Sequence, residues 1–273
     1  MGLTLASYGW GRGPGDPDET GAAVGRGQIR EGADAWTAEG GDVGVLVVHG
    51  FTGSPWSVRP WAEALAAEGY AVEMPLLPGH GTHWQDMAAS TWEQWAGEAD
   101  EALDRLSART RTQVVAGLSM GGTLALRLAE QREGVAGIAL VNPSLFSDDP
   151  VRRLVPLLSR VVASVPGIGS DIAKPGADER AYDRVPLRAL ASFARLEAVV
   201  RADLARVTAP VLVMTSPVDH VVPPECSRAV LDGVSSTDRE QVWLERSHHV
   251  ATLDHDADLI ARRTVEFVRR VAS

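Results

Sequence analysis

The stretch Gln113-Val114-Val115-Ala116-Gly117-Leu118-Ser119-Met120-Gly121 decides the fold. Its first four residues have the composition of a short buried strand, and Met120–Glu130 has helical spacing. Ser119 lies between them in a Gly-x-Ser-x-Gly motif, whose glycines allow a strand and a helix to pack closely. The pattern predicts a tight turn that exposes the Ser119 hydroxyl and directs a helix N-terminus at developing negative charge.

Short apolar runs alternate with amphipathic stretches on both sides of this turn. A buried strand with no polar face is typical of a parallel sheet that is covered on both sides. We therefore predict an α/β fold with a mostly parallel, doubly wound sheet. The other predicted strands are Val43–Val48, Tyr70–Met74, Val135–Val141, Pro210–Thr215 and Glu240–Leu244. The predicted helices besides Met120–Glu130 are Pro55–Glu68, Trp92–Leu106, Pro224–Leu231 and Asp254–Val271.

Two segments depart from this alternation. Residues 1–41 are rich in glycine and have few apolar anchors, so we expect a loose leader before a single domain at 42–273. Residues from about 145 to 207 contain no clear strand, and two apolar stripes there have helical spacing. We predict a helical cap inserted in the α/β body. The stripe residues considered as an apolar roof over Ser119 are Leu154, Leu158, Val162, Leu190 and Phe193.

Composition excludes several classes of protein. The chain has 273 residues, 45% of them hydrophobic, and its net charge of −10 disfavours a nucleic-acid partner. The single cysteine, Cys226, forms no internal disulfide, so an oxidising compartment is not required. No stretch approaches the roughly 18 apolar residues of a membrane span. We expect a cytoplasmic protein without integral membrane association.

A serine hydroxyl becomes a strong nucleophile only when a base takes its proton and an acid orients that base. In this fold the expected chain order is serine, acid, histidine. Asp219 follows the predicted strand Pro210–Thr215, and the pair His248-His249 follows Glu240–Leu244. All three groups therefore lie beyond the carboxyl ends of strands, where the active sites of α/β proteins lie. Taken alone, Asp219 would be a turn residue and the histidines part of a solvated loop.

The loop His49-Gly50-Phe51-Thr52-Gly53 follows the first buried strand. Loops at this place commonly supply a backbone N–H to an oxyanion hole. We expect the N–H groups of Phe51 and Met120 to be the two donors. The alternative is a glycine-rich turn in which Phe51 serves only packing.

A second histidine pair, His80 and His83, has the spacing His-x-x-His but no convincing third ligand. Metal sites require three or four ligands, so we expect no metal. The glycines of the leader follow no strand and therefore predict no nucleotide loop. No cofactor is expected.

The chain resembles the α/β-hydrolase superfamily, and within it the bacterial carboxylesterase and monoacylglycerol lipase group. The matching segments are His49–Gly53, Leu77–Gly81, Gly117–Gly122, Asp219 with Val221–Pro223, Val185–Pro210 and Ser247–Asp254. The resemblance implies hydrolysis of a small-molecule ester or lipid through an acyl-enzyme, with a cap over an acyl pocket. Alignment to Val250 makes His249 the base and places His248 in a position that is usually glycine. If that position required positive φ, histidine would cost about 1 kcal/mol there.

These observations together predict a serine hydrolase of carboxylic esters with short to medium acyl chains, including monoacylglycerols. Ser119 is the expected nucleophile, His249 the base and Asp219 the acid. The alternatives are a peptidase, a thioesterase or a carbon–carbon bond hydrolase on the same scaffold, and a non-catalytic receptor that uses the pocket. The sequence gives no indication of the oligomeric state.

Overall fold

The computed structural model describes residues 27–273. Within that range the chain forms nine strands, eight α-helices and four short 3₁₀ turns. The strands are β1 (Trp36–Ala38), β2 (Val43–Val48), β3 (Ala71–Met74), β4 (Thr112–Leu118), β5 (Val135–Val141), β6 (Ser164–Pro166), β7 (Arg184–Pro186), β8 (Val211–Thr215) and β9 (Arg239–Trp243). The helices are α1 (Arg59–Ala67), α2 (Trp84–Ala88), α3 (Trp92–Ser107), α4 (Met120–Gln131), α5 (Val155–Leu158), α6 (Leu187–Asp203), α7 (Glu225–Gly233) and α8 (Ala257–Val271).

Seven strands form one sheet in the order β1-β3-β2-β4-β5-β8-β9. Strand β1 runs antiparallel to β3, and the other neighbours are parallel. Successive side chains of a strand point to opposite faces, so β2 supplies two apolar layers. Leu46 and Val48 pack in the layer that contains α3, α4 and α6 residues, whereas Val45 and Val47 pack with residues of α1 and α8. The predicted α/β architecture is confirmed.

Part of the stretch that we expected to be a loose leader is a strand. Strand β1 lies inside the stretch that we expected to be a loose leader, and it pairs with β3 at the edge of the sheet. The Arg59 guanidinium lies over the Trp36 ring, 4.4 Å from its centroid. A strand of three residues is stabilised mainly by hydrogen bonds to its neighbour, so it leaves no apolar pattern in the sequence. Residues 1–26 of the expected leader lie outside the described residues.

Residues 145–207, here called the cap, lie between β5 and β8. We predicted no strand in this segment, but β6 and β7 form a two-stranded antiparallel ribbon. The expected helical stripe of Leu154, Leu158 and Val162 is also wrong. A 3₁₀ turn ends at Leu154, α5 contains only four residues, and Val162 lies beyond it. Leu154 is 55% exposed and Val162 40% exposed, so neither belongs to a buried layer.

The second cap stripe forms the long helix α6 and is buried. Phe193 is 4% exposed, and Leu190 is partly buried against the core cluster that also contains Leu196 and Val200. Ser192 of the same helix accepts a hydrogen bond from the N–H of Trp92, over 2.9 Å, at the start of α3. Helix α6 is therefore fixed to the body. No helix within residues 27–273 is both long and apolar enough to cross a membrane.

Candidate active site

Ser119 lies at the junction of β4 and α4 in a strained backbone conformation. Its φ is 55° and its ψ is −116°, a combination that residues other than glycine rarely adopt. The flanking glycines allow the close approach. A Cβ on Gly117 would lie 2.2 Å from the carbonyl oxygen of Gly121, and a Cβ on Gly121 would lie 2.0 Å from that of Val48. The sequence motif therefore folds as the expected tight turn.

The structure brings Ser119, His249 and Asp219 together. The Nε2 atom of His249 lies 2.9 Å from the Ser119 hydroxyl, and its Nδ1 lies 2.7 Å from Oδ2 of Asp219. With a proton on Nδ1, the ring donates to the carboxylate and accepts from the serine hydroxyl. Burial alone lowers the pKa of His249, but the Asp219 charge and hydrogen bond outweigh it and hold the pKa above its ordinary value.

The second oxygen of Asp219 is held by the backbone. Oδ1 accepts hydrogen bonds from the N–H groups of Val221, at 2.8 Å, and Val222, at 2.7 Å. These two bonds fix the carboxylate so that Oδ2 faces the imidazole. They come from the turn that follows β8, so the sheet itself positions the acid.

The loop that carries His249 is fixed by two residues that the sequence analysis missed. Asn142, directly after β5, donates from Nδ2 to the carbonyl of His249 over 2.8 Å. Asp171 of the cap accepts the His249 N–H at Oδ2 over 3.2 Å, and its own carbonyl accepts the N–H of Val250 over 3.1 Å. Asn142 has a φ of 44°, and its place just beyond a buried strand was a signal available in the sequence. Asp171 had no such signal.

His248 fits its position without backbone strain. It is not among the residues of positive φ, so the glycine that the resemblance leads one to expect is not needed here. Its N–H donates to Oδ2 of Asp254 over 2.9 Å. Its ring lies away from Ser119, against His220 and Asp171. His249, and not His248, is therefore the ring that reaches the serine.

The two expected oxyanion donors lie near Ser119. A Cβ on Gly50 would lie 3.4 Å from the Cβ of Ser119, so the loop after β2 runs directly beside the serine. Within residues 27–273 the Phe51 N–H has no hydrogen-bond partner, and the Met120 N–H is at the first position of α4, where no intrahelical acceptor exists. Both N–H groups are thus available to a ligand.

The His49 ring links the oxyanion loop to the backbone at Leu77 by hydrogen bonds. Its ring is fully buried, its Nδ1 donates to the carbonyl of Gly50 over 3.0 Å, and its Nε2 accepts the N–H of Leu77 over 3.2 Å. Burial lowers the pKa of His49 to about 4 and outweighs the hydrogen bond to Gly50. The ring is therefore neutral at physiological pH, with its tautomer set by the two backbone partners.

The two histidines of the second pair, His80 and His83, pack against different tryptophan rings. The His80 ring packs edge-on against Trp95, with centroids 5.6 Å apart, and burial holds its pKa well below the ordinary value. The His83 ring lies 5.9 Å from that of Trp84. Within residues 27–273, neither histidine belongs to a group of three potential metal ligands.

Glu179 of the cap is a further residue that the sequence analysis missed. Its side chain is buried beside the loop after β2, where a Cβ on Gly53 would lie 2.9 Å from Oε1. Burial raises the pKa of Glu179 to about 7, against the attraction of His249. Within the described residues its carboxyl group has no hydrogen-bond partner. Tyr182 fixes this stretch, because its N–H donates to the Thr52 carbonyl over 3.1 Å.

The sheet order and the serine turn beyond β4 define the class of protein, an α/β-hydrolase. The chain belongs to the family described as serine aminopeptidase, S33 (Hydrolase_4), whose model matches residues 42–256. It is 43% identical to the thermostable monoacylglycerol lipase of Bacillus sp. (strain H-257) over 89% of this chain and 97% of that protein. It is 26% identical to the carboxylesterase of Bacillus subtilis (strain 168) over 86% of this chain and 96% of that protein.

A solved structure gives the same result. One chain from the study of LipS and LipT, two metagenome-derived lipolytic enzymes, superposes with a TM-score of 0.87 at 42% identity, and the match covers 89% of this chain and 100% of that chain. These similarities confirm the expected class: the chain is an enzyme, a serine hydrolase that cleaves esters.

Proposed function

We propose that the chain hydrolyses carboxylic esters of short to medium acyl chains, with monoacylglycerols among its substrates, and that Ser119, His249 and Asp219 are its catalytic residues. The observation that carries the proposal is the continuous pair of hydrogen-bond distances from Ser119 to His249 and from His249 to Asp219, 2.9 and 2.7 Å. The similarity to a monoacylglycerol lipase supports the substrate class.

In this mechanism Ser119 attacks the ester carbonyl while His249 takes its proton. Asp219 keeps the imidazole in the required tautomer and stabilises the imidazolium that forms. The N–H groups of Phe51 and Met120 donate to the oxyanion, and α4 adds the positive end of its dipole. His249 then gives the proton to the leaving alcohol. Water repeats the two steps on the acyl-enzyme, with no metal or cofactor taking part.

The cap supplies the substrate-binding surface in this proposal. The Phe193 ring stacks on that of Phe51, so helix α6 contributes apolar surface next to the oxyanion loop. Leu190 and Leu158, both partly buried, are the next candidates for contact with the acyl chain. Leu154 and Val162 face solvent in this conformation and are not part of an enclosed acyl pocket.

Glu179 is suited to the alcohol side of the ester. His249 must reach the leaving oxygen to protonate it, and the charge of Glu179 acts on His249. A carboxyl group without a protein partner accepts hydrogen bonds from the free hydroxyls of glycerol. We therefore assign Glu179 to the recognition of polyhydric alcohols. Glu179→Gln should lower kcat/KM for a monoacylglycerol several-fold more than for the methyl ester of the same acid.

The test of the whole proposal combines labelling and turnover. A fluorophosphonate probe should label Ser119, and peptide mapping should place the label there. The wild type should hydrolyse nitrophenyl esters and monoacylglycerols, whereas matched amides and thioesters should react far more slowly. Labelling without ester turnover would favour a receptor, and faster amide turnover would favour a peptidase. The cytoplasmic location stays a prediction, which cell fractionation would check.

A further inference from the structure

Three side chains that take part in no chemical step of the proposed hydrolysis meet beside the catalytic loops. Asp171 belongs to the cap, His220 directly follows Asp219, and His248 directly precedes His249. One nitrogen or oxygen from each of the three side chains lies within 4.8 Å of the other two. The cluster therefore joins the cap to both loops that carry the proposed acid and base.

The distances within the cluster suit a small divalent cation. Oδ1 of Asp171 lies 2.8 Å from Nδ1 of His220 and 3.3 Å from Nδ1 of His248. Tetrahedral bonds of about 2.0 to 2.1 Å separate two zinc ligands by about 3.3 Å. The distance from Asp171 Oδ1 to Nδ1 of His248 already equals this separation. The distance to Nδ1 of His220 must increase slightly. His220 has a side chain that is 59% exposed, so it is free to turn and bring the two nitrogens together.

Asp171 is already held in the orientation of a ligand. Its Oδ2 accepts the backbone N–H groups of His220, at 3.0 Å, and His249, at 3.2 Å. Oδ1 is thereby directed at the two imidazoles. A preoriented carboxylate with fixed partners is a favourable metal ligand.

We propose that Asp171, His220 and His248 bind one divalent cation of the zinc type, with solvent completing its coordination. A set of two imidazoles and one carboxylate binds zinc in preference to magnesium or calcium. Without the ion, an Nδ1–H donates to Asp171. To bind the ion, each ring must present the lone pair of Nδ1, so the Nδ1 proton leaves for Nε2 or for solvent.

The ion would stabilise the contact between the cap and the two loops that carry Asp219 and His249. Separately from hydrolysis, it would join residues that are 49 and 77 positions apart in the chain to one centre. A ligand that binds only the folded protein raises its melting temperature in proportion to the logarithm of its concentration. Added zinc should therefore raise the melting temperature of the wild type.

The experiment uses the untagged full-length protein and the metal ion alone. Zinc binding is measured by calorimetry in a buffer that does not chelate, and Co²⁺ is used as an optical probe of tetrahedral coordination. We expect one ion per chain in the wild type. His220→Ala and His248→Ala should each weaken binding at least tenfold. His255→Ala, which removes an exposed histidine outside the cluster, should bind as the wild type does.

A fourth variant separates this site from the catalytic histidine. His249→Ala keeps the backbone N–H that Asp171 accepts, so it should bind zinc with unchanged affinity. Loss of binding in His249→Ala would place the ion on the catalytic base and overturn the proposal. No zinc uptake by the wild type, or equal affinity in His248→Ala, would also overturn it. Circular dichroism without metal verifies that each variant is folded.

Discussion

The ring of Phe193 in α6 stacks on the ring of Phe51 in the loop after β2, with centroids 5.2 Å apart and planes inclined by 18°. The Arg152 guanidinium lies 5.4 Å from the centroid of the same Phe193 ring. One cap side chain thus contacts the loop that carries a proposed oxyanion donor. A change at this position therefore acts on the proposed acyl pocket and on the loop at the same time.

The first prediction concerns acyl-chain selectivity. Each buried methylene of substrate contributes up to about 0.8 kcal/mol, or roughly fourfold in kcat/KM, until the pocket is full. Specificity should rise with acyl length and then fall where the chain meets the cap. Phe193→Ala should move this optimum to longer chains, because it removes a buried ring next to Phe51. The measurement is kcat/KM over a series of esters of increasing acyl length.

Leu154→Ala is the matched control, since it removes an exposed side chain from the same cap. Its acyl-length profile should equal that of the wild type. An identical profile in Phe193→Ala would show that this ring does not limit the pocket. A profile without an optimum in the wild type would argue against an enclosed acyl pocket.

The second prediction concerns the adjacent histidines. His249→Ala should lower kcat by several orders of magnitude, because Ser119 loses the group that takes its proton. His248→Ala should retain most of the activity in metal-free buffer, because its ring contacts His220 and Asp171 instead. Steady-state kinetics of both variants on one nitrophenyl ester checks the ranking. The opposite ranking would make His248 the base.

Whether a feature of the fold or of the site was predictable depends on how far apart in the sequence its contacting residues lie. The central strands are runs of apolar residues, and Ser119 and Asp219 each follow one of them. His249 follows β9, an edge strand with a mixed sequence. Local patterns were therefore sufficient to suggest the sheet and the candidate residues. Strand β1 was missed because three residues at a sheet edge carry no periodicity. Asp171 was missed because its role comes from contact with His249, which lies 78 positions away.

The helical prediction for the first part of the cap was wrong for a related reason. Apolar residues at helical spacing normally indicate a buried stripe. In the cap, a 3₁₀ turn begins at Pro150, Pro156 is the second residue of the four-residue helix α5, and the chain leaves that helix after Leu158. Apolar spacing alone does not distinguish a buried stripe from side chains that a short, proline-containing segment leaves exposed.

The third prediction concerns stability and pH. The folded pKa of His49 is about 4 and its ordinary value is 6.5, so the unfolded chain binds a proton that the folded chain does not. The stabilisation is complete above pH 6.5 and is lost as the pH falls towards 4, by about 3 kcal/mol in all. Between pH 6 and pH 5 the wild type should lose about 1 kcal/mol more than His49→Gln. Urea unfolding at both pH values measures this difference, and parallel losses would contradict it.

The fourth prediction concerns the glycines. Gly121→Ala should destabilise the fold by about 3 kcal/mol or more, because the new Cβ would overlap the Val48 carbonyl. Gly97→Ala is the control: Gly97 is an exposed residue of α3 whose added Cβ meets nothing within 4 Å. That change should stabilise by about 0.5 to 1 kcal/mol, since alanine favours a helix. Thermal unfolding of both variants shows whether each change lowers or raises the stability. An unchanged stability of Gly121→Ala would mean that the backbone at this turn is less closely packed than described.

The last prediction separates the two properties of Ser119, its hydroxyl and its strained backbone. Ser119→Ala and Ser119→Gly both remove the nucleophile, so both should lower kcat by about 10⁴- to 10⁶-fold. Their stabilities should differ. Alanine retains the Cβ that makes a φ of 55° and a ψ of −116° unfavourable, whereas glycine adopts this conformation freely. Even after the greater entropy of unfolded glycine is allowed for, Ser119→Gly should be more stable than Ser119→Ala by about 1 kcal/mol. The free energy of unfolding in urea measures the difference, and because both variants lack the hydroxyl, the His249 hydrogen bond cancels between them. Equal stability would mean that the turn relaxes once the hydroxyl is removed, and more than a few per cent of residual activity in either variant would mean that Ser119 is not the nucleophile.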